Sequence, residues 1–124
     1  MNKVILLSIA GTLGTLARYW LSGAVYNFLG RDFPWGTWSV NIIGCFLFGL
    51  VWTLSDERGL IPAQGRLVIL VGFMGAFTTF STFIFESFQI VRDADWIKMM
   101  LNMFGQNIVG FFAAYIGVVF GRVI

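Results

Sequence analysis

Residues 72 to 83 read Gly-Phe-Met-Gly-Ala-Phe-Thr-Thr-Phe-Ser-Thr-Phe, inside a run otherwise apolar enough to cross a membrane. A helix in hydrocarbon gains nothing from polar, breakable backbone near its midpoint, because each group left unpaired there costs several kcal/mol. Such backbone is tolerated where it lines a cavity or holds an ion. The stretch is therefore the first candidate for a permeation or ion-binding site. Gly72 and Gly75 with Thr78-Thr79 predict a local break, which would free carbonyl oxygens suited to a hard cation such as Na⁺. The competing reading makes the glycines mere close-packing notches. Phe80 and Phe83, three apart, project to one side. Aromatic rings have a positive edge, so two edges on a pore would support a partly dehydrated anion without trapping it. With 14 phenylalanines in the chain, however, most must face lipid or packed neighbours. Ser81 and Thr82 either offer hydroxyl donors or bond back to the carbonyl four residues earlier.

Three further groups carry polar chemistry at membrane depth. Thr37 and Asn41 are four apart and share a helix face, with Gly44, Cys45 and Gly49 following as small residues. Asn41 either donates to an anion or ties two helices together. Asn102, Gln106 and Gly110 recur at intervals of four, so the two amides form a stripe that either lines a pore or glues helices. Glu86 is the one carboxylate inside a span, about a turn beyond Thr82. It either accepts hydrogen bonds at a pore mouth or sits solvated at the interface. Arg18 lies well inside the first apolar run and has a structural or electrostatic role, since a guanidinium in the pore would hold an anion too tightly to conduct.

The elements that must position these residues follow from composition. The chain has 124 residues, of which 58% are hydrophobic and 11% charged, with a mean hydropathy of +0.84. A soluble domain carries about 25% charged residues, so a small integral membrane protein is expected. Apolar runs predict spans at about Val4–Phe28, Thr37–Leu54, Leu67–Val91 and Ile97–Phe120, in a single domain covering residues 1–124. No Ala-x-Ala-like site closes the first run, which reads as a mature span rather than a signal peptide. One cysteine excludes an intrachain disulfide, and without histidine a tetrahedral zinc site is implausible. A formal charge of +2 is too small to point to nucleic acid.

Four spans put both termini on one side, with Lys3, Arg58, Arg66 and Arg122 there and Arg31, Arg92 and Lys98 opposite. The positive-inside rule works through Lys/Arg asymmetry, and here there is almost none. Insertion in both orientations, followed by antiparallel pairing, is one explanation; a bias set by a single charge is the other. Four helices alone enclose no substantial polar pathway, which favours a homo-oligomer.

Taken together these residues resemble the CrcB/Fluc family of fluoride channels. The matching elements are Gly11-x-x-Gly14-x-x-x-Arg18-Tyr19, then Gly36-Thr37-x-x-Val40-Asn41-x-x-Gly44. The third is Gly72-Phe73-x-Gly75-x-x-Thr78-Thr79-Phe80-Ser81-Thr82-Phe83 followed by Glu86. They fall in order over the first three spans, and the chain length also fits. The resemblance implies an all-α membrane protein of four transmembrane helices with the third broken near its middle. It further implies an antiparallel, dual-topology homodimer with two fluoride pores in the bacterial inner membrane. Phe80 and Phe83 would turn ring edges to fluoride, and Asn41 would donate through its side-chain amide. Thr37, Ser81 and Thr82 would belong to a polar track, with Glu86 near an ion entrance. Asn102 and Gln106 are carried as pore-lining candidates. A structural Na⁺ at the dimer interface would be held by the backbone carbonyls of Gly75 and Thr78. The rival is a small multidrug-type, proton-coupled exporter of organic cations, which would want a carboxylate in the first span where this chain has Arg18. No enzymatic constellation is present in the sequence.

Overall fold

The computed structural model describes residues 2–124 and is all-helical. Helix α1 (Lys3–Leu29) opens on Asn2, whose Oδ1 accepts from the Val4 N–H at 2.9 Å. It closes on Gly30 at φ 83°, a conformation that favours glycine. Pro34 sits at the N-cap of α2, which runs Trp35–Glu57. The third span, Ala63–Arg92, is two helices: α3 (residues 63–77) and α4 (Phe80–Arg92). Asp95 caps α5, which runs Trp96–Val123, by accepting from the Lys98 N–H at 3.1 Å. The four spans are long and apolar enough to cross a membrane, and their ends fall within a few residues of the expected ones.

Most of their surface is apolar and outward-facing, as at Phe28 and Ile97. Helices in lipid gain little from hiding apolar surface from one another, so close backbone approach through small residues must hold them. Glycines supply it. On α2 and α5, a Cβ at Gly49 would collide with the Ala114 carbonyl, and one at Gly117 with that of Phe46. Gly14 of α1 lies equally tight on the Phe73 carbonyl of α3. Around these seams Val40, Leu70, Met74 and Phe77 form a small buried core.

The third span breaks where expected, but the glycines are not the cause. Gly75 keeps helical angles of −60° and −31°, whereas Thr78 and Thr79 are extended at ψ 160° and 115°. Gly72 is a packing notch instead, since a Cβ there would sit 2.8 Å from that of Ala10. The break is made by side chains replacing backbone partners. Asn41 Oδ1 takes the Thr79 N–H at 2.8 Å, and Thr79 Oγ1 takes the Thr82 N–H at 3.2 Å as the cap of α4. In an unbroken helix those two N–H groups would go to the carbonyls of Gly75 and Thr78.

Charged residues gather at the ends. Arg122 binds Glu57 through two bonds of 2.7 Å, and Arg58 donates to the Gly121 carbonyl at 3.0 Å, joining the second connection to the C-terminus. At the other end Lys98 pairs with Asp95 at 3.6 Å. Such exposed pairs contribute about 0–1 kcal/mol each.

Candidate functional site

Asn41 and Gly44 lie one turn apart on the face of α2 that meets the break. Gly44 has no side chain because the Thr78 methyl fills that space. Asn41 reaches over it with every polar hydrogen engaged. Its Nδ2 donates to the Thr79 carbonyl at 3.1 Å and to Gln106 Oε1 at 2.5 Å, while its Oδ1 accepts the Thr79 N–H. Beside this junction runs a groove of about 520 Å³, bordered by Asn41, Thr79, Phe80, Phe83 and Gln106 among others. The rings of Phe80 and Phe83 are 6.0 Å apart. They are held very differently: Phe83 is 5% exposed and Phe80 74% exposed. Ser81 and Thr82 are not among the residues that border the groove; they gather on the hydroxyl of Thr79, which does, at 3.4 and 3.0 Å. Neither bonds back along its helix; Thr78 does, to the Met74 carbonyl at 3.0 Å.

The amide stripe of α5 continues inward. Gln106 borders the groove, but Asn102 is 0% exposed and does not. Asn102 bonds Gln106 Nε2 at 3.1 Å, the Trp38 indole at 2.9 Å and the Ser87 hydroxyl at 2.8 Å. Its observed role is to connect α2, α4 and α5. Thr37 and Glu86 form a second, separate cluster. Glu86 Oε1 accepts from Thr37 at 2.8 Å and from Tyr26 at 3.3 Å, so it ties α4 to α2 and α1. Its other oxygen is shut from solvent without a hydrogen-bond partner. This cluster opens on a second cleft of about 270 Å³, bordered by Tyr26, Arg31 and Asp32. Arg18 is half-buried on α1, and no salt bridge or side-chain hydrogen bond of its guanidinium occurs among the described residues.

The break in the third span and the phenylalanine pair after it are features singled out from the sequence; the pinning of that break by Asn41 and the largely apolar groove alongside are what the structure adds. Residues 5–118 match the family model described as CrcB-like protein, Camphor Resistance (CrcB). The chain belongs to the CrcB-like family. It is 56% identical over 124 residues to a protein of Solidesulfovibrio magneticus named fluoride-specific ion channel FluC, covering 100% of this chain and 99% of that one. A protein of the same name from Nitrosococcus oceani is 49% identical over 123 residues, covering 99% and 98%. Another from Desulforapulum autotrophicum is 49% identical over 123 residues, with the same coverage. With four spans and full-length likeness to proteins named as channels, this CrcB-like chain is a multi-pass membrane protein.

Tyr26, Trp38 and Ser87 belong to these clusters and do not stand out in the sequence. Gly36 is the one trace of Tyr26, since its missing Cβ leaves the room the phenol ring takes. The one signal for Ser87 is its place four residues beyond Phe83, on the same helix face. Trp38 falls at the start of the second span, and nothing in the sequence joins its indole to Asn102.

Proposed function

We propose that this protein is a fluoride-selective passive channel, not an enzyme, which lets cytoplasmic fluoride leave across the bacterial inner membrane and so confers fluoride resistance. The observation that carries the reading is the groove. It presents a ring pair and an amide pair to one space, in a chain closely similar along its whole length to relatives named fluoride-specific ion channels. Fluoride is small and strongly hydrated, so a selective path must replace its water with several weak donors. Phe80 and Phe83 supply ring edges, and the Asn41–Gln106 pair supplies amide N–H. Ser81 and Thr82 continue the polar track, while Thr37 and Glu86 stand at an ion entrance. Arg18 raises the local anion concentration without ligating. No carboxylate on α1 favours the exporter alternative.

The groove lacks one wall, and the exposed Phe80 ring projects at its rim. A second copy of the chain, inverted in the membrane, would complete it, giving two pores per dimer. The near-even charge on the two sides supports insertion both ways. Gly75 supports a partner at close range, because it is exposed with only the Leu70 carbonyl, at 3.9 Å, near a notional Cβ. The chemistry at the break also fits a structural Na⁺ at that interface. The Gly75 and Thr78 carbonyls have lost their α-helical donors to Asn41 and Thr79, and hard oxygen ligands suit the ion. Bound there, Na⁺ would neutralise the carbonyl dipoles and lock the two broken helices together.

The test is anion efflux from liposomes, read with fluoride and chloride electrodes under valinomycin and potassium, with no proton gradient. Fast fluoride release without chloride release is expected; none from intact dimer would sink the reading. Phe80→Ile should cut fluoride efflux by about tenfold or more while the dimer survives, because within each chain the ring is exposed and shortening it opens no cavity in the fold. Normal efflux would remove the ring-edge mechanism.

A further inference from the structure

The amides of α2 and α5 form a file of hydrogen bonds whose direction is set from both ends. At one end the Trp38 indole, which can only donate, gives its Nε1–H to Asn102 Oδ1 at 2.9 Å. At the other end the Thr79 backbone N–H, also a pure donor, meets Asn41 Oδ1 at 2.8 Å. Between them Gln106 gives Nε2–H to Asn102 Oδ1 at 3.1 Å and receives Asn41 Nδ2–H on Oε1 at 2.5 Å. Turning over any one amide would set donor against donor or acceptor against acceptor. A third anchor agrees in sense: Asn102 Nδ2 donates at 2.8 Å to Ser87 Oγ, whose own hydrogen goes to the Phe83 carbonyl at 2.8 Å.

This polarity decides which hydrogens are left for a ligand. A side-chain amide has two. Asn41 commits both, one to Gln106 and one to the Thr79 carbonyl. Asn102 is fully enclosed and away from the groove. Gln106 and Asn102 each commit one hydrogen, and of these two only Gln106 borders the groove, so its second N–H is the spare donor that a ligand there can reach. Asn107 also borders the groove, but it is exposed and bonded only to the Met103 carbonyl of its own helix, so no second element holds it in place.

We propose that Gln106, rather than Asn41, offers the anion its amide N–H, and that Trp38 is a positioning residue holding Gln106 in that orientation through Asn102. This rests on the fluoride-channel reading above. Trp38 is itself firmly seated. The Phe33 and Trp35 rings lie 5.7 and 6.1 Å from it, and a Cβ on Gly105 would come within 2.9 Å of its Cη2. A donor held in place before the ion arrives needs no reorganisation to bind it.

Single-channel fluoride currents in planar bilayers provide the test, because they separate the current per channel from the number of folded channels. Gln106→Met should lower the current per channel by about tenfold, as for one lost hydrogen bond to a charged ligand. Trp38→Phe should lower it by a smaller factor, about threefold, since the Thr79 end still imposes the polarity. An unchanged or larger current in Gln106→Met would overturn the assignment, because removing Oε1 frees an Asn41 hydrogen to act as the donor. Side-chain amide NMR of the intact protein under fluoride titration decides the matter should that variant fail to assemble. Gln106 signals that move while those of Asn41 stay put support the proposal, and the reverse overturns it. In Trp38→Phe the Gln106 signals should respond only at higher fluoride; a wild-type titration and current together would remove the positioning role. Wild-type current with unaffected Gln106→Met defeats the donor assignment alone, whereas no current from intact wild-type dimer defeats the channel reading and the assignment with it.

Discussion

Ser87 and Glu86 are neighbours on α4, yet they serve two polar clusters built in opposite ways. Successive residues on a helix point about 100° apart, so Ser87 meets α5 while Glu86 meets α1 and α2. On the Ser87 side the amide file is closed: at each link a donor meets an acceptor, and both ends are pure donors. On the Glu86 side two hydroxyls converge on one carboxylate oxygen, and the other oxygen has no partner. A satisfied network in a low-dielectric interior rigidifies what it touches. A carboxylate with one enclosed oxygen unpartnered lacks a donor that the chain itself does not supply. The first cluster holds the break and orients the amide proposed to meet the anion, whereas the second holds a carboxylate with one acceptor left unfilled.

The sharpest way to break this contrast is Asn41→Leu. It strands the Thr79 N–H and carbonyl and the Gln106 acceptor, so a stability loss of about 2–4 kcal/mol is expected. Thermal unfolding in detergent reads this, and a melting curve like the wild type's would mean that the file does not hold the break. Ser87→Ala is a milder cut at the far end of the same file. It leaves Asn102 Nδ2 unpaired in a fully enclosed place, which costs about 1–2 kcal/mol in the same assay. Glu86→Gln is the counter-test. The Thr37 and Tyr26 hydroxyls keep an acceptor, while the new NH2 takes the place of an enclosed oxygen that had no partner, so a stability loss of about 1 kcal/mol is expected, less than in Asn41→Leu. Fluoride efflux per liposome should nonetheless fall several-fold. A stability loss as large as that of Asn41→Leu would erase the distinction between the clusters.

How much of this was legible beforehand differs from residue to residue. Span number and ends follow from hydropathy because every residue facing lipid must be apolar, whatever its neighbours. The break was legible from hydroxyls at membrane depth, although its agent was not. Gly72 and Gly75 looked like the weak points and both stayed helical, because a glycine permits a break without requiring one, whereas Asn41 actively removes a helix donor. Thr37, Asn41, Glu86, Asn102 and Gln106 were all picked out as polar residues at depth. Their division between a groove, a buried connector and a separate carboxylate cluster was not visible, since each partner lies on another span.

The sequence by itself determined that this is a four-span membrane protein whose polar residues gather around one interrupted span. Burial in hydrocarbon imposes those properties on each residue separately, so they can be read one position at a time. Tertiary structure alone decided which hydrogens remain free. A side-chain amide can face either way in isolation, and only the Trp38 indole at one end and the Thr79 N–H at the other, brought together by packing of α2, α4 and α5, give the file its direction.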